Sequence, residues 1–411
     1  MKYAILVCDG ASDWKIPELG NKTIFEAAKI PNMDFMAANG RMGLLKTIPD
    51  SMKPGSECAN MTIMGYNPET ELTGRGPLEA LSSGVEMSKT DLAYRCNLIT
   101  IKDGLIKDYS SGHITTEESK PLIKAVDEEL GSEGVRFFPG VQYRHILRLN
   151  GNRFSEDIEL TPPHDELDQP YTKFLVKPDN PDDKRAVYTA DYMNTLIEKS
   201  RKVLLNHPIN EQRREENKNQ ATNVWFWSGG KKPNIEPFKE KYGLTGSVIS
   251  AVDLIFGLGI AAGLEPIHIK GATGLPDTNY EGKATAGIES LKERDFVFIH
   301  VEATDEMGHA GDYDRKKSAL EDFDRKIVKP FLEAEKQFDD QLVICVLPDH
   351  PTPCEIRTHS REAVPFVIYN PHQEIGEHPK RKFTEENGKG GELGQLETGE
   401  AFMTTLLGIS E

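Results

Sequence analysis

Residues 3–10 read YAILVCDG, a short apolar run without alternation that stops at Asp9 and a glycine. A segment this brief and apolar on both faces is the pattern of a β-strand covered by helices on both sides. Two later segments have the same form: DFVFIHVEATDE, residues 295–306, and QLVICVLPDH, residues 341–350. Between them Ala319, Phe323, Ile327 and Phe331 recur at helical spacing. Strand, helix and strand in that order predict an α/β domain with a parallel sheet. In such sheets functional groups collect at the carboxyl ends of the strands. Asp9, Asp305, Asp349 and His350 all fall there.

The middle of the chain has another texture. Alternating segments (LAYRCNLITI from 92, QYRHILRLN from 142) mix with helical ones (TEESKPLIKAVDEEL from 116, ADYMNTLIEKSRKVLL from 190). A polar, proline-rich stretch, residues 160–183, separates them. The expected organisation is a discontinuous core, residues 1–90 and 225–411, with a smaller α+β domain inserted at 91–224. The glycine-rich segment GKGGELG, residues 388–394, reads as a mobile loop.

The 411 residues are 37% hydrophobic and 28% charged, with a formal net charge of −17. That balance suits a soluble globular protein and argues against a nucleic-acid partner, which needs a basic footprint. A local pocket of cations can still take a small anion. The five cysteines are scattered without a CxxC pair, as expected of free thiols in a reducing cytoplasm. The apolar start is too brief for a signal-peptide core, and the stretch 248–264 is broken by Asp253, so neither export nor a membrane span is expected. Oligomeric state is not legible.

Chemistry concentrates in a few places. In KPGSECAN, residues 53–60, Ser56 stands on a turn ahead of a helix, where free backbone N–H groups suit an anion. The same position suits an N-capping serine. Asp305 and His309, four apart, meet one ion if they share a helical turn. Asp349 and His350 leave a strand, and His359 follows in RTHS. Taken singly, Asp9 also admits reading as a cap, His309 as a solvated loop histidine, and Asp349–His350 as a capped turn before Pro351 and Pro353. Taken together, carboxylates and imidazoles without a thiolate suit Mn²⁺, Mg²⁺ or Zn²⁺.

The order Asp, Ser, Asp-x-x-x-His, Asp-His, His, with its surroundings, resembles the alkaline phosphatase superfamily, specifically the archaeal-type cofactor-independent phosphoglycerate mutases. The resemblance spans nearly the whole chain. It is carried by CDGASD, PGSECANMTIMGYNP, GRGPLEA, YRCNLIT, DYSSGHI, GATGLPDTNYEGK, HVEATDEMGHAGD, DHPTPC and HSREAVP. The family's first motif usually reads DGMAD; this chain has Ala11 and Ser12 there, beside the ligand position and not on it.

The resemblance implies an alkaline-phosphatase-like core with a central, mostly parallel sheet, and two divalent cations. Asp9, Ser56, Asp349 and His350 would hold one, and Asp305, His309 and His359 the other. Ser56 would be the nucleophile. The implied reaction interconverts 3-phosphoglycerate and 2-phosphoglycerate without bisphosphoglycerate, the inserted domain closing over the intermediate. The substrate, a small phosphorylated three-carbon acid, needs cationic clamps; Arg75, Arg95, His113, Arg144 and Lys283 are the candidates. The rival readings are transfer to another hydroxy compound such as homoserine, and hydrolysis of phosphomonoesters.

Overall fold

The computed structural model describes residues 1–339, 341–372 and 378–409. It divides into two compact units, Met1–Leu72 with Ile235–Glu411, and Thr73–Asn234.

The first unit is built on an eight-stranded sheet. Its central strand is Lys2–Cys8, the segment that opens the sequence. Phe296–Val301 lies parallel on one side and Leu342–Leu347 parallel on the other. Beyond Phe296–Val301 come Gly246–Ile249 and then Glu265–Pro266, also parallel. Beyond Leu342–Leu347 the strand Val364–Tyr369 runs antiparallel, followed by Arg41–Leu45 and the short Gln395–Leu396.

Successive side chains of a strand point to opposite faces, and both faces of this sheet are covered. Ala4, Leu6 and Cys8 pack in one cluster with Ala319, Phe323, Ile327 and Phe331, the residues whose spacing marks the helix. Ile5 and Val7 face the other way and are equally inaccessible. Each large apolar side chain buried in this way contributes about 1.5–3 kcal/mol. Cys8 pairs in register with Val301, and Val7 with Leu347. The three neighbouring strands therefore end side by side, which brings Asp9, the segment from Glu302, and Asp349 to one edge.

The second unit has its own five-stranded antiparallel sheet. Its long strand Leu92–Lys102 pairs antiparallel with Arg144–Leu149, with Asn223–Lys231 and, at its carboxyl end, with Leu105–Asp108. The alternation read in the sequence does not leave one face wet. Leu92, Tyr94, Cys96 and Leu98 join the cluster formed with helices Thr116–Leu130 and Lys184–Leu205. Ala93 and Ile146 face the opposite way, against Ala80, Val85 and Met87. Helix Arg75–Ser82 thus covers the second face of this sheet, so residues 73–90, and likewise 225–234, belong to this unit and not to the core assigned from sequence.

The glycine-rich segment 388–394 is likewise not a free loop. It follows from helix Glu385–Lys389 and leads into the strand that pairs with Arg41–Leu45. A Cβ at Gly391 would come within 2.2 Å of the Met42 carbonyl oxygen, so glycine is required for this close backbone approach. The five cysteines are free and buried. Among the described residues no helix is long and apolar enough to cross a membrane.

Candidate active site

Ser56 is the first residue of helix Ser56–Ile63, one position beyond the N-cap. Gly55 is the cap, and no side chain caps this end. The N-capping reading of Ser56 therefore fails for a geometric reason: its hydroxyl is directed elsewhere. Ser56 Oγ lies 3.1 Å from Nε2 of His350. Asn60, one turn along, donates from Nδ2 to the Ser56 carbonyl at 2.9 Å and to Asp349 Oδ2 at 2.8 Å.

The acids and histidines from the strand ends converge here. Asp305 and His309 share helix Ala303–Ala310, with His309 Nε2 3.2 Å from Asp305 Oδ2. Nε2 of His359 is 3.0 Å from that of His309 and 3.6 Å from Asp305 Oδ1. His350 Nε2 is 3.6 Å from Asp9 Oδ1 and 3.5 Å from Asp349 Oδ2. Three sets of ligand atoms each fall within 4.8 Å: Asp305, His309 and His359; Asp9, Asp305 and His350; and Asp9, His300 and Asp349.

Electrostatics follow from burying so many acids together. Burial, then Asp349 and Asp305, push the Asp9 carboxyl far above its ordinary range. Burial acts the same way on Asp305, but hydrogen bonds from His309 and His359 outweigh it and hold that carboxylate well below its usual range. Asp305 in turn raises His309 to about 9. Burial pushes His300 down to about 4. Asp9 Oδ1 is buried and, among the described residues, has no hydrogen-bond partner. Converging buried carboxylates, an orphaned carboxylate oxygen and neutralisable imidazoles are a donor set that fits divalent cations.

Sequence reasoning missed several residues that hold this arrangement. Lys316, wholly buried, donates to the Asp13 carboxylate and the Thr352 carbonyl, both at 2.8 Å, and to the Ser12 carbonyl at 3.3 Å. All three of its N–H donors are used, tying the loop after Asp9 to the loop after His350. Thr352 donates its hydroxyl to Asp305 Oδ1. Gly10, at φ +63°, leaves no room for a side chain, because a Cβ there would sit 2.5 Å from Asp305 Oδ1. His300 is the penultimate residue of strand Phe296–Val301, with Nε2 3.1 Å from Asp9 Oδ2. Sequence reasoning did not single it out, although a histidine in an otherwise apolar FVFIHV run is itself a signal.

Of the candidate substrate clamps, three gather in the second unit. Arg95 pairs with Glu79 at 3.0 Å and stacks 4.0 Å over the ring of Trp227. Arg75 reaches the same Glu79 at 3.8 Å. Burial, and after Glu79's opposing effect the nearby Arg75 and Arg144, lower the Arg95 guanidinium from its ordinary value. His113 stands exposed on a turn with φ +49°. Lys283 is separate: it is buried in the first unit and donates to the His300 carbonyl at 3.0 Å. An ammonium committed to backbone there supports the strand beneath Asp9.

An α/β fold that sets a serine at an uncapped helix N-terminus, beside convergent carboxylates and imidazoles at the ends of parallel strands, is of the class suited to metal-assisted phosphoryl transfer. Residues 37–210 match the family model described as 2,3-bisphosphoglycerate-independent phosphoglycerate mutase. A protein of that name from Methanosarcina barkeri is 50% identical over 394 residues, covering 96% of each chain. The solved cofactor-independent phosphoglycerate mutase from Thermoplasma acidophilum superposes with a TM-score of 0.71 at 27% identity, covering 100% of both chains. The PH0037 protein from Pyrococcus horikoshii does so with a TM-score of 0.81 at 29% identity, covering 100% of this chain and 98% of that one. The chain belongs to the 2,3-bisphosphoglycerate-independent phosphoglycerate mutase family.

Proposed function

We propose that this protein interconverts 3-phosphoglycerate and 2-phosphoglycerate without bisphosphoglycerate, with Ser56 carrying the phosphoryl group between the two hydroxyls. The observation that carries the reading is the Ser56 hydroxyl, 3.1 Å from His350 at an uncapped helix end, in a chain of this family. Asp305, His309 and His359 would hold one divalent cation; Asp9, Asp349, His350 and Ser56 would hold the other. When bound, the cations stabilise the serine alkoxide and the charge on the phosphoryl oxygens.

The chain's own groups do the rest. Ser56 Oγ attacks phosphorus in line, and the bond from phosphorus to the C3 oxygen breaks as the Oγ–P bond forms. The serine proton ends on the departing C3 oxygen. After the glycerate turns, its C2 hydroxyl attacks the phosphoserine and Ser56 recovers a proton, so no second phosphoryl donor is needed. The free N–H groups and dipole of helix Ser56–Ile63 favour the anionic phosphoryl oxygens. Asn60 fixes the Ser56 carbonyl and the Asp349 carboxylate to each other. Arg75, Arg95, Arg144 and His113 are the groups suited to hold the substrate's carboxylate.

Purified protein loaded with Mn²⁺ and given 3-phosphoglycerate should yield phosphoenolpyruvate when coupled to enolase, with no stimulation by bisphosphoglycerate. Release of inorganic phosphate in place of that signal would make the protein a phosphomonoesterase and defeat the assignment.

A further inference from the structure

His300 has no part in the reaction as written above. It sits on strand Phe296–Val301, and its ring is sealed from solvent. Nδ1 lies 3.4 Å from the Ser250 hydroxyl, and the His300 carbonyl accepts the Lys283 ammonium. The ring is thus held from behind. Its other nitrogen, Nε2, is 3.1 Å from Asp9 Oδ2 and 4.0 Å from Asp349 Oδ2. Despite that proximity Nε2 makes no hydrogen bond among the described residues, and neither does Asp9 Oδ1.

A buried polar atom left without a partner costs about 1–3 kcal/mol, and native proteins rarely leave one so placed. Two ligands of one cation behave differently. Metal–nitrogen and metal–oxygen bonds of about 2.0–2.2 Å, set at a tetrahedral or octahedral angle, bring the two donor atoms to roughly 3 Å with each aimed at the ion instead of at the other. Nε2 of His300 and Oδ2 of Asp9 have that relation, and the Asp9, His300 and Asp349 donor atoms fall within 4.8 Å of one another. Ser250 then takes the partner role that a ligating imidazole's second nitrogen needs, accepting Nδ1–H and leaving the Nε2 lone pair free.

We propose that His300 is a direct ligand of the divalent cation held by Asp9 and Asp349, adding a second imidazole to His350 at that ion. The proposal rests on the two-cation reading above.

The test uses the whole protein reconstituted with Co²⁺. Ring protons of histidines bound to the ion are displaced far outside the normal range of the proton spectrum, and isotope labelling of histidine identifies them. His300, His309, His350 and His359 should all be displaced by direct coordination. A spectrum with two ions bound but only the last three coordinated overturns the proposal and leaves the two-cation reading intact. Binding of fewer than two ions overturns both. His300→Ala gives an independent readout in Mn²⁺ titration calorimetry. One of the two equivalents should bind at least about tenfold more weakly, the other unchanged. Two unchanged affinities in a folded variant would overturn the assignment. The spectrum needs no variant, so it decides the matter even if that substitution prevents folding.

Discussion

The Ser56 hydroxyl and the His350 imidazole approach to 3.1 Å across 294 residues of sequence. One comes from a helix start and the other from the end of a central parallel strand, so only the folded sheet brings them together. A serine that merely capped its helix would tolerate alanine at a cost of about 1 kcal/mol. The nucleophile reading demands a different outcome. Ser56→Ala should lower turnover by more than about 10⁴-fold, with two Mn²⁺ equivalents still bound through the remaining ligands. The enolase-coupled rate and metal content together check this, and appreciable residual mutase activity would contradict it.

Gly10 and Gly20 make a matched pair. Both have positive φ, at +63° and +74°, so a side chain at either strains the backbone. Around Gly20 none of the described residues lies within 4 Å of an added Cβ, whereas at Gly10 the Asp305 carboxylate and the Thr352 hydroxyl occupy that space. Gly20→Ala should cost about 1–2 kcal/mol of stability and leave activity intact. Gly10→Ala should weaken metal binding at least about tenfold, because Asp9 and Asp305 must move apart. Denaturant curves and Mn²⁺ titrations distinguish the two effects; equal metal affinities in both variants would rule out the close packing at Gly10.

Much of this was readable before the fold was known. The sheet and the ligand-bearing strand ends were legible because short apolar runs closed by acids have few other structural meanings. Asp305 and His309 were legible because four residues make one helical turn. The failures have physical causes. Helix Arg75–Ser82 carries a pattern that fits either unit, and only the second buried face of the strand Leu92–Lys102 assigns it. Lys283 and Lys316 look like solvated charges in sequence, yet both are buried with backbone carbonyls as partners. His300 is hard to read because Ile299 and Val301 flank it, so it looks like one more buried position of an apolar strand.

Lys316 and Asp13 form a sealed ion pair joining the two loops beside the candidate metal centre. Removing one partner strands the other charge in a low-dielectric interior. Lys316→Met and Asp13→Leu should each destabilise the protein by about 3–5 kcal/mol, and the double replacement by distinctly less than their sum. Urea unfolding of the three variants measures the coupling. Strict additivity would mean that the pair does not act as a unit.

Glu385 makes the protein's stability depend on pH at a position away from the ligands. It opens helix Glu385–Lys389, and its Oε1 is shut off from solvent, while Thr23 donates its hydroxyl to Oε2 at 2.8 Å. Burial pushes the carboxyl up to about 7 from 4.5, with Glu26 adding slightly; its own N–H, the Thr23 hydroxyl and the Asp13 N–H oppose this but do not cancel it. A folded value above the unfolded one means that the folded state holds this proton more tightly. Its stabilising contribution is therefore complete below about pH 4.5 and is lost as pH rises through 7. The shift is worth ~3 kcal/mol between those limits. Glu385→Gln cannot ionise, so its stability relative to the parent should improve by ~2–3 kcal/mol on going from pH 5 to pH 8. Urea midpoints of both proteins at the two pH values test this, and a constant difference between them would show that Glu385 does not titrate in the folded protein over this range.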